Sequence, residues 1–144
     1  MNKSPLWFKV VVTVALLWNL VGLLAVLADL RLSTAEIAAL PEPQQAMYSA
    51  RPTWSILGSV IAVVGGTLGC LGLLVRQPWA LFTLYASLIG VVLQDIGILA
   101  VVNTATGPKS VPVILQGVVL LIAVALIVLA HQRVARASSP SPQN

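Results

Sequence analysis

Long apolar runs alternate with short polar interruptions along this chain, four times over. The runs extend from about Trp7 to Ala28, Trp54 to Val75, Ala80 to Val102 and Val111 to Ala130. Each matches the roughly 20 residues that an α-helix needs to cross about 30 Å of hydrocarbon. Lys9 lies inside the first run but near its end, where the apolar stem can carry the charge out to the headgroups. Strands of a membrane β-barrel would be about half as long and would alternate in polarity. The pattern therefore predicts an all-α fold: a bundle of four transmembrane helices forming one domain over residues 1–136.

The interruptions agree with this reading. Arg76-Gln77-Pro78-Trp79 predicts a tight turn, and the segment from Asn103 to Ser110 holds Gly107-Pro108 as a second connection. Polar, proline-rich residues from Ala137 predict a disordered tail over 137–144. The longest interruption, Asp29 to Thr53, has a pattern of its own. Ser33-Thr34-Ala35-Glu36 fits a capping box, predicting a short helix that Pro41 stops near Leu40. Pro43 can open a second short helix through Tyr48, ended by Arg51-Pro52. Such a loop is either a connector resting on the membrane surface or a lid over a cavity. The first run is read as a span rather than a secretion signal, because its apolar core exceeds the usual length of about 7–15 residues.

Composition sharpens the picture. Hydrophobic residues make up 58% of the chain and charged residues 8%, against about 25% charged in soluble domains, so lipid has to be the main solvent. Cys70 is the single cysteine, which rules out an internal disulfide and a two-thiol redox cycle. The net charge of +4 bears on topology rather than on nucleic acid, since no run of Lys or Arg exists. With the N-terminus inside, Lys3, Lys9, Arg76, Arg133 and Arg136 lie inside against Arg31, Arg51 and Lys109 outside, a five-to-three bias. That favours cytoplasmic N- and C-termini and a periplasmic Asp29–Thr53 loop. Trp7, Trp54 and Trp79 fall at helix ends, where aromatic belts sit.

Small and polar residues inside the runs are the remaining signal. On the second run Ser55, Gly58, Ala62, Gly65, Gly69 and Gly72 recur at intervals of three and four, with Gly65 and Gly69 in G-x-x-x-G spacing. On the third, Thr83, Ser87, Gly90, Gln94 and Gly97 form a comparable stripe. Membrane helices associate by close contact, so such stripes predict helix packing, within the chain or against a second copy in a homodimer. The first run presents Ala15, Asn19, Gly22, Val26 and Asp29 on one face, and the fourth offers Gln116 and Ala123. The first three helices are expected to form the tight part of the bundle. Asp95 is the carboxylate well inside a span, the kind of residue that often marks a transport or proton path. Asp95, Asn19 and Gln116, with Gln94 nearby, form a candidate polar pocket facing the periplasm. Asp95 can equally act as interhelical glue by bonding to Asn19, Gln116 or a backbone carbonyl. Asp29, at the water boundary, reads as solvated. His131 lacks clustered ligands and lies at the opposite membrane depth from Asp95, so neither a metal site nor a Ser/His/Asp set is expected. Tyr85 and Cys70 read as packing residues. No cofactor and no enzymatic chemistry is expected.

Three segments carry a family resemblance. They are Leu17-Trp18-Asn19-Leu20-Val21-Gly22; Leu40-Pro41-Glu42-Pro43-Gln44-Gln45-Ala46-Met47-Tyr48 with Pro52-Thr53-Trp54; and Gly65-Gly66-Thr67-Leu68-Gly69 with Arg76-Gln77-Pro78-Trp79-Ala80. Their arrangement resembles a large family of small four-helix bacterial inner-membrane proteins often labelled sugar transporters. In outline it is also similar to the DoxX-like four-helix proteins. The resemblance spans roughly residues 7 to 100 and carries no family site residues. It implies a bacterial inner membrane and a small-molecule solute. Two functions follow as expectations: a transporter-like solute carrier built around the polar pocket, or a non-catalytic accessory or structural membrane protein whose loop meets a partner.

Overall fold

The computed structural model describes residues 5–104 and 110–138. Its elements are helices: α1 (Leu6–Arg31), α2 (Thr34–Ala38), α3 (Glu42–Ala50), α4 (Thr53–Leu74), α5 (Ala80–Thr104) and α6 (Ser110–Ser138). α1, α4, α5 and α6 are long and apolar enough to cross a membrane, and the all-α four-helix bundle is the observed fold. The molecule is a multi-pass membrane protein. Trp7, Trp54 and Trp79 stand about half exposed at helix ends. The connection at Gly107-Pro108, Lys3, Lys109 and the tail beyond Ser138 lie outside the described residues. Ala137 and Ser138 are helical, because α6 continues about two turns past the apolar run instead of stopping near Ala130.

The four long helices stand in a row, α1 on α4, α4 on α5, α5 on α6, each antiparallel to the next. The tightest pair is α4–α5, and the two small-residue stripes face each other across it. Ser55, Gly58, Ala62, Gly65, Gly69 and Gly72 are all buried. A methyl placed on Gly58 would stand 2.9 Å from the backbone of Gly90 and Gln94, and one on Gly65 would stand 2.9 Å from the Thr83 carbonyl. A methyl on Gly97 would run into Ser55. The backbones therefore touch. Two hydroxyls cross the seam, Ser87 Oγ donating to the Ala62 carbonyl (2.7 Å) and Ser55 Oγ to the Gln94 carbonyl (3.3 Å). In lipid such bonds contribute about 0.6 kcal/mol each. Both stripes are thus occupied within the chain.

A tight turn makes this pairing antiparallel. Arg76 takes a positive φ of 61°. Gln77 N–H donates to the Gly72 carbonyl at 2.8 Å and Arg76 N–H to the Leu73 carbonyl at 3.3 Å, the paired bonds of a Schellman motif. Ala80 and Trp79 then close over Gly72.

α6 packs on α5 about as fully as α1 packs on α4, so the tight part of the bundle is not confined to the first three spans. Its extent differs between the two ends. At the end bearing the start of α1, Phe8, Val12 and Ala15 join Cys70, Leu84, Leu126 and Ala130 in one core that unites all four spans. There the Arg133 guanidinium also lies over the Phe8 ring, 3.9 Å from its centre. Towards the other end, the core shrinks to Ala62, Val91 and Ala123 with Leu88, Val119 and Leu120, and α1 contributes nothing to it.

That second end carries the α2–α3 hairpin. Ser33 and Glu36 form the capping box, with the Glu36 carboxylate accepting from Ser33 N–H at 2.7 Å. The Gln45 amide donates to the Ala38 and Leu40 carbonyls at 2.9 and 2.7 Å, which satisfies the end of α2. The hairpin is tied to α1 through Asp29. Tyr48 donates its hydroxyl to Oδ1 at 2.6 Å, and Arg51 pairs with Oδ2. Asp29 is therefore a clip between α1 and α3 and not merely solvated. The clip was hidden in the sequence because its partners lie 19 and 22 residues away.

Gly90→Ala and Gly58→Ala are expected to cost about 1–3 kcal/mol through overpacking. Gly117→Ala, whose new methyl would meet nothing within 4 Å, is expected to be neutral or to stabilise by up to about 1 kcal/mol. Thermal unfolding in one detergent separates the two classes. A second expectation concerns the clip. The Asp29 hydrogen bond first, then burial and the Asp29 charge, push the Tyr48 phenol above its ordinary 10.0, with Arg51 opposing. Because the folded value is the higher one, this contribution is complete below pH 10.0 and fades as pH rises through the folded value. Amide exchange at residues 42–50, corrected for its intrinsic pH dependence, is expected to stay slow at neutral pH and to accelerate in strong alkali. Tyr48→Phe is expected to exchange fast throughout.

Candidate functional site

Because α1 leaves α6 beyond Ala15 while α4 and α5 stay in contact, a cleft opens between the two outer helices. It holds about 320 Å³ and is floored by Ala62 and Val63 of α4 and by Leu84, Ser87, Val91 and Gln94 of α5. Trp18, Asn19, Val21, Gly22, Ala25 and Val26 of α1 form one wall; Leu115, Gln116, Val119, Ile122, Ala123 and Leu126 of α6 form the other. The rims are open: Val21 is 64% exposed, Leu115 50% and Trp18 43%. Below, the cleft ends on the four-helix core, with Leu84 and Leu126 belonging to both. No residue of α2 or α3 lines it, so the hairpin is not its lid.

Three amide side chains enter this apolar space, one from each of three helices. Asn19 is held in place by its own helix, Nδ2 donating to the Ala15 carbonyl at 2.8 Å. Its Oδ1 lies over Gly66, where a methyl would collide with it. The Gln94 amide donates to Gln116 Oε1 at 3.1 Å across the α5–α6 junction. The Ser87 hydroxyl is already used on the Ala62 carbonyl. The small face of α1 explains the position of Asn19: Gly22 rests against Val63, and a methyl there would stand 3.2 Å from that side chain.

Asp95 has a different position. It does not line the cleft. One residue on from Gln94 along α5, it points about 100° away. It is one turn beyond Val91, which packs with Val119 and Leu120 of α6. The Gln94 amide lies beside its carboxylate, but Oδ1 is shut off from solvent and has no hydrogen-bond partner among the described residues. The expected pocket of Asp95, Asn19 and Gln116 is thus divided. Asn19 and Gln116 share a cleft with Gln94, and Asp95 stands behind Gln94, outside it.

Sequence reasoning missed two contributors. Trp18 stood out only within the Leu17–Gly22 segment that carries the family resemblance, not as a site residue. Gly66 lies off the α4 stripe and is the seat for Asn19; the Gly65-Gly66 pair was its signal, since adjacent glycines serve two faces of one helix. Tyr85 also departs from a packing role. It is about half exposed, with its hydroxyl 3.1 Å from His131 Nε2 at the end of the bundle where all four spans meet. Among the described residues no group of three or more His, Cys, Asp or Glu could hold a metal ion.

The chain has no match among protein-family models, curated proteins or solved structures.

An unpartnered buried oxygen costs about 1–3 kcal/mol. Asp95→Leu, which removes it, is therefore expected to raise the thermal stability of the detergent-solubilised protein. A lower midpoint would show that Asp95 has a bonding role.

Proposed function

We propose that this protein is a small carrier-like membrane protein that holds an uncharged solute in the cleft between α1 and α6. The carrying observation is the convergence of Asn19, Gln94 and Gln116, from three helices, on one apolar cleft closed at its base by a packed core. A few placed polar groups in an apolar concavity of about 300–1,000 Å³ is the usual form of a small-molecule site. Gln94 and Gln116 can exchange their mutual hydrogen bond, and Asn19 its bond to the Ala15 carbonyl, for bonds to a ligand without any change of charge. The excess of Lys and Arg on the terminal side supports cytoplasmic N- and C-termini. With the resemblance noted above, it supports a bacterial inner membrane, so the cleft would open in the periplasmic half. The reading is of a binding or carrier protein and not of an enzyme. A homodimer contact would have to use outer faces of the bundle, since the glycine stripes are taken up by α4 and α5.

A second reading rests on the hairpin. α2 and α3 have no buried residue, yet Tyr48 and Arg51 hold them firmly on α1. An ordered, exposed surface of that kind supports an accessory protein that meets a partner through residues 33–50.

Trp18 supplies the test, because it lines the cleft while Trp7, Trp54 and Trp79 stand at the helix ends. In a protein with those other three changed to phenylalanine, a panel of sugars and lipid-soluble alcohols is expected to include a ligand giving a saturable change in Trp18 emission. Gln116→Leu is expected to weaken that response about tenfold. No saturable response from any member would remove the basis of the carrier reading and favour the accessory one.

A further inference from the structure

The chemistry of the cleft narrows its ligand, and its shape gives the route of access; this step rests on the carrier reading above. None of the residues lining the cleft carries a formal charge. Among the described residues, the buried side chains that unite the four spans below are apolar, and the Arg133 guanidinium lies at their far end, over Phe8. An ionised ligand entering such a space would exchange its hydration for amides alone and leave its charge unpaired, which strongly disfavours it. A free sugar is disfavoured on a different count. It brings a hydroxyl on nearly every carbon, whereas the cleft offers three amides. One amide is partly satisfied by Ala15, two by each other, and the Ser87 hydroxyl is already spent. Each sugar hydroxyl left without a partner would carry its own desolvation cost.

What fits is an elongated apolar body with one or two neutral hydrogen-bonding groups. The polar groups also have a definite depth. Gln94 and Gln116 meet towards the hairpin end, and the apolar lining continues past Asn19 to Leu84 and Leu126 at the base. A polar head would therefore sit at the glutamine pair, with its apolar body directed towards the core.

Access follows from the same geometry. α1 and α6 do not close against each other above Ala15, and the exposed rim residues Val21, Ala25 and Leu115 are apolar. They therefore face hydrocarbon, so the gap between the two helices opens sideways into the lipid. We infer that the cleft takes a lipid-soluble, uncharged amphipathic molecule with a hydroxyl or carbonyl head, admitted laterally from the bilayer between α1 and α6 and bound at Gln94 and Gln116.

The test uses the full chain reconstituted in phosphatidylcholine vesicles and a photoreactive hexadecanol bearing a diazirine on its chain. Labelled peptides are mapped with and without competitor. The expected result is labelling concentrated on the cleft walls of α1 and α6. Unlabelled hexadecanol should compete at least tenfold more effectively than hexadecanoate at a pH where the acid is ionised. Ala25→Trp, placed on an exposed rim position so that the bundle core is untouched, should abolish the labelling. Gln116→Leu should reduce it about tenfold. Thermal midpoints like that of the unaltered protein would show that both variants fold. Equal competition by hexadecanoate would overturn the selection for uncharged heads while leaving the cleft as a binding site. Displacement of the probe by a monosaccharide at least as effectively as by hexadecanol would overturn the amphipathic class and leave the carrier reading standing. Labelling spread evenly over all lipid-facing surfaces, unchanged by Ala25→Trp, would overturn both.

Discussion

Apolar surface gives membrane helices little reason to leave lipid for one another, so the α4–α5 pair has to be held by contact itself. Residues that would otherwise weaken a helix make that contact possible. Glycine costs up to about 1 kcal/mol against alanine within a helix. Here each glycine on the seam returns close van der Waals contact along a backbone, and the gaps admit Ser55 and Ser87 to bond across to carbonyls of the facing helix. The Schellman turn at Arg76 sets the register, because it brings Ala80 against Gly72 and so aligns every later pair, up to Gly97 against Ser55. With α4 and α5 joined in this way, each has one remaining face for an outer helix, and the cleft is the space those two outer helices leave between them.

Much of this architecture was legible in the sequence, for a physical reason. Span length, capping boxes and small-residue stripes are local or periodic properties, so Ser33 with Glu36, and Gly58 with Ala62 and Gly65, announce their roles from spacing alone. What was not legible depends on which faces meet. The stripes of α4 and α5 could have served a second copy equally well, and spacing carries no information about the partner. The Asp29 clip joins residues 19 and 22 apart whose types are ordinary at a membrane boundary. Asn19, Gln94 and Gln116 stood out because an amide in an apolar run is costly and has to be satisfied somewhere. Asp95 stood out for the same reason and more strongly. Yet a single step along α5 turns it away from the cleft that Gln94 lines, and polarity alone does not reveal that rotation.

The position of Asp95 gives the Gln94 amide two neighbours of unlike character. On one side it donates to Gln116 at 3.1 Å within the cleft; on the other it lies beside a carboxylate. An amide has two donors and a carbonyl acceptor, so it can serve both without ionising. A rearrangement of Gln94 would therefore change what Asp95 has beside it. The carboxylate is thus linked to the cleft through Gln94 although it does not line it.

The row-like arrangement also determines which parts can move. α4 and α5 cannot separate without opening a backbone-to-backbone seam, whereas over the upper half of the bundle the long helix that α1 packs on is α4, and α6 packs chiefly on α5. Both outer helices are anchored at the terminal end, where Phe8, Val12, Leu126 and Ala130 share one core and Arg133 lies over Phe8. A change in cleft width would therefore take the form of a small rotation of α1 or α6 about that anchored end, with side chains sliding over a fixed α4–α5 floor, a shear that preserves packing. The Asp29 clip acts at the opposite end of α1, where such a rotation has its longest lever. Tyr48 and Arg51 join that end to a hairpin which itself reaches α5. A rotation of that kind would have to stretch the clip's ion pair and hydrogen bond, so a packed anchor below and an electrostatic tie above both bear on the width of the cleft.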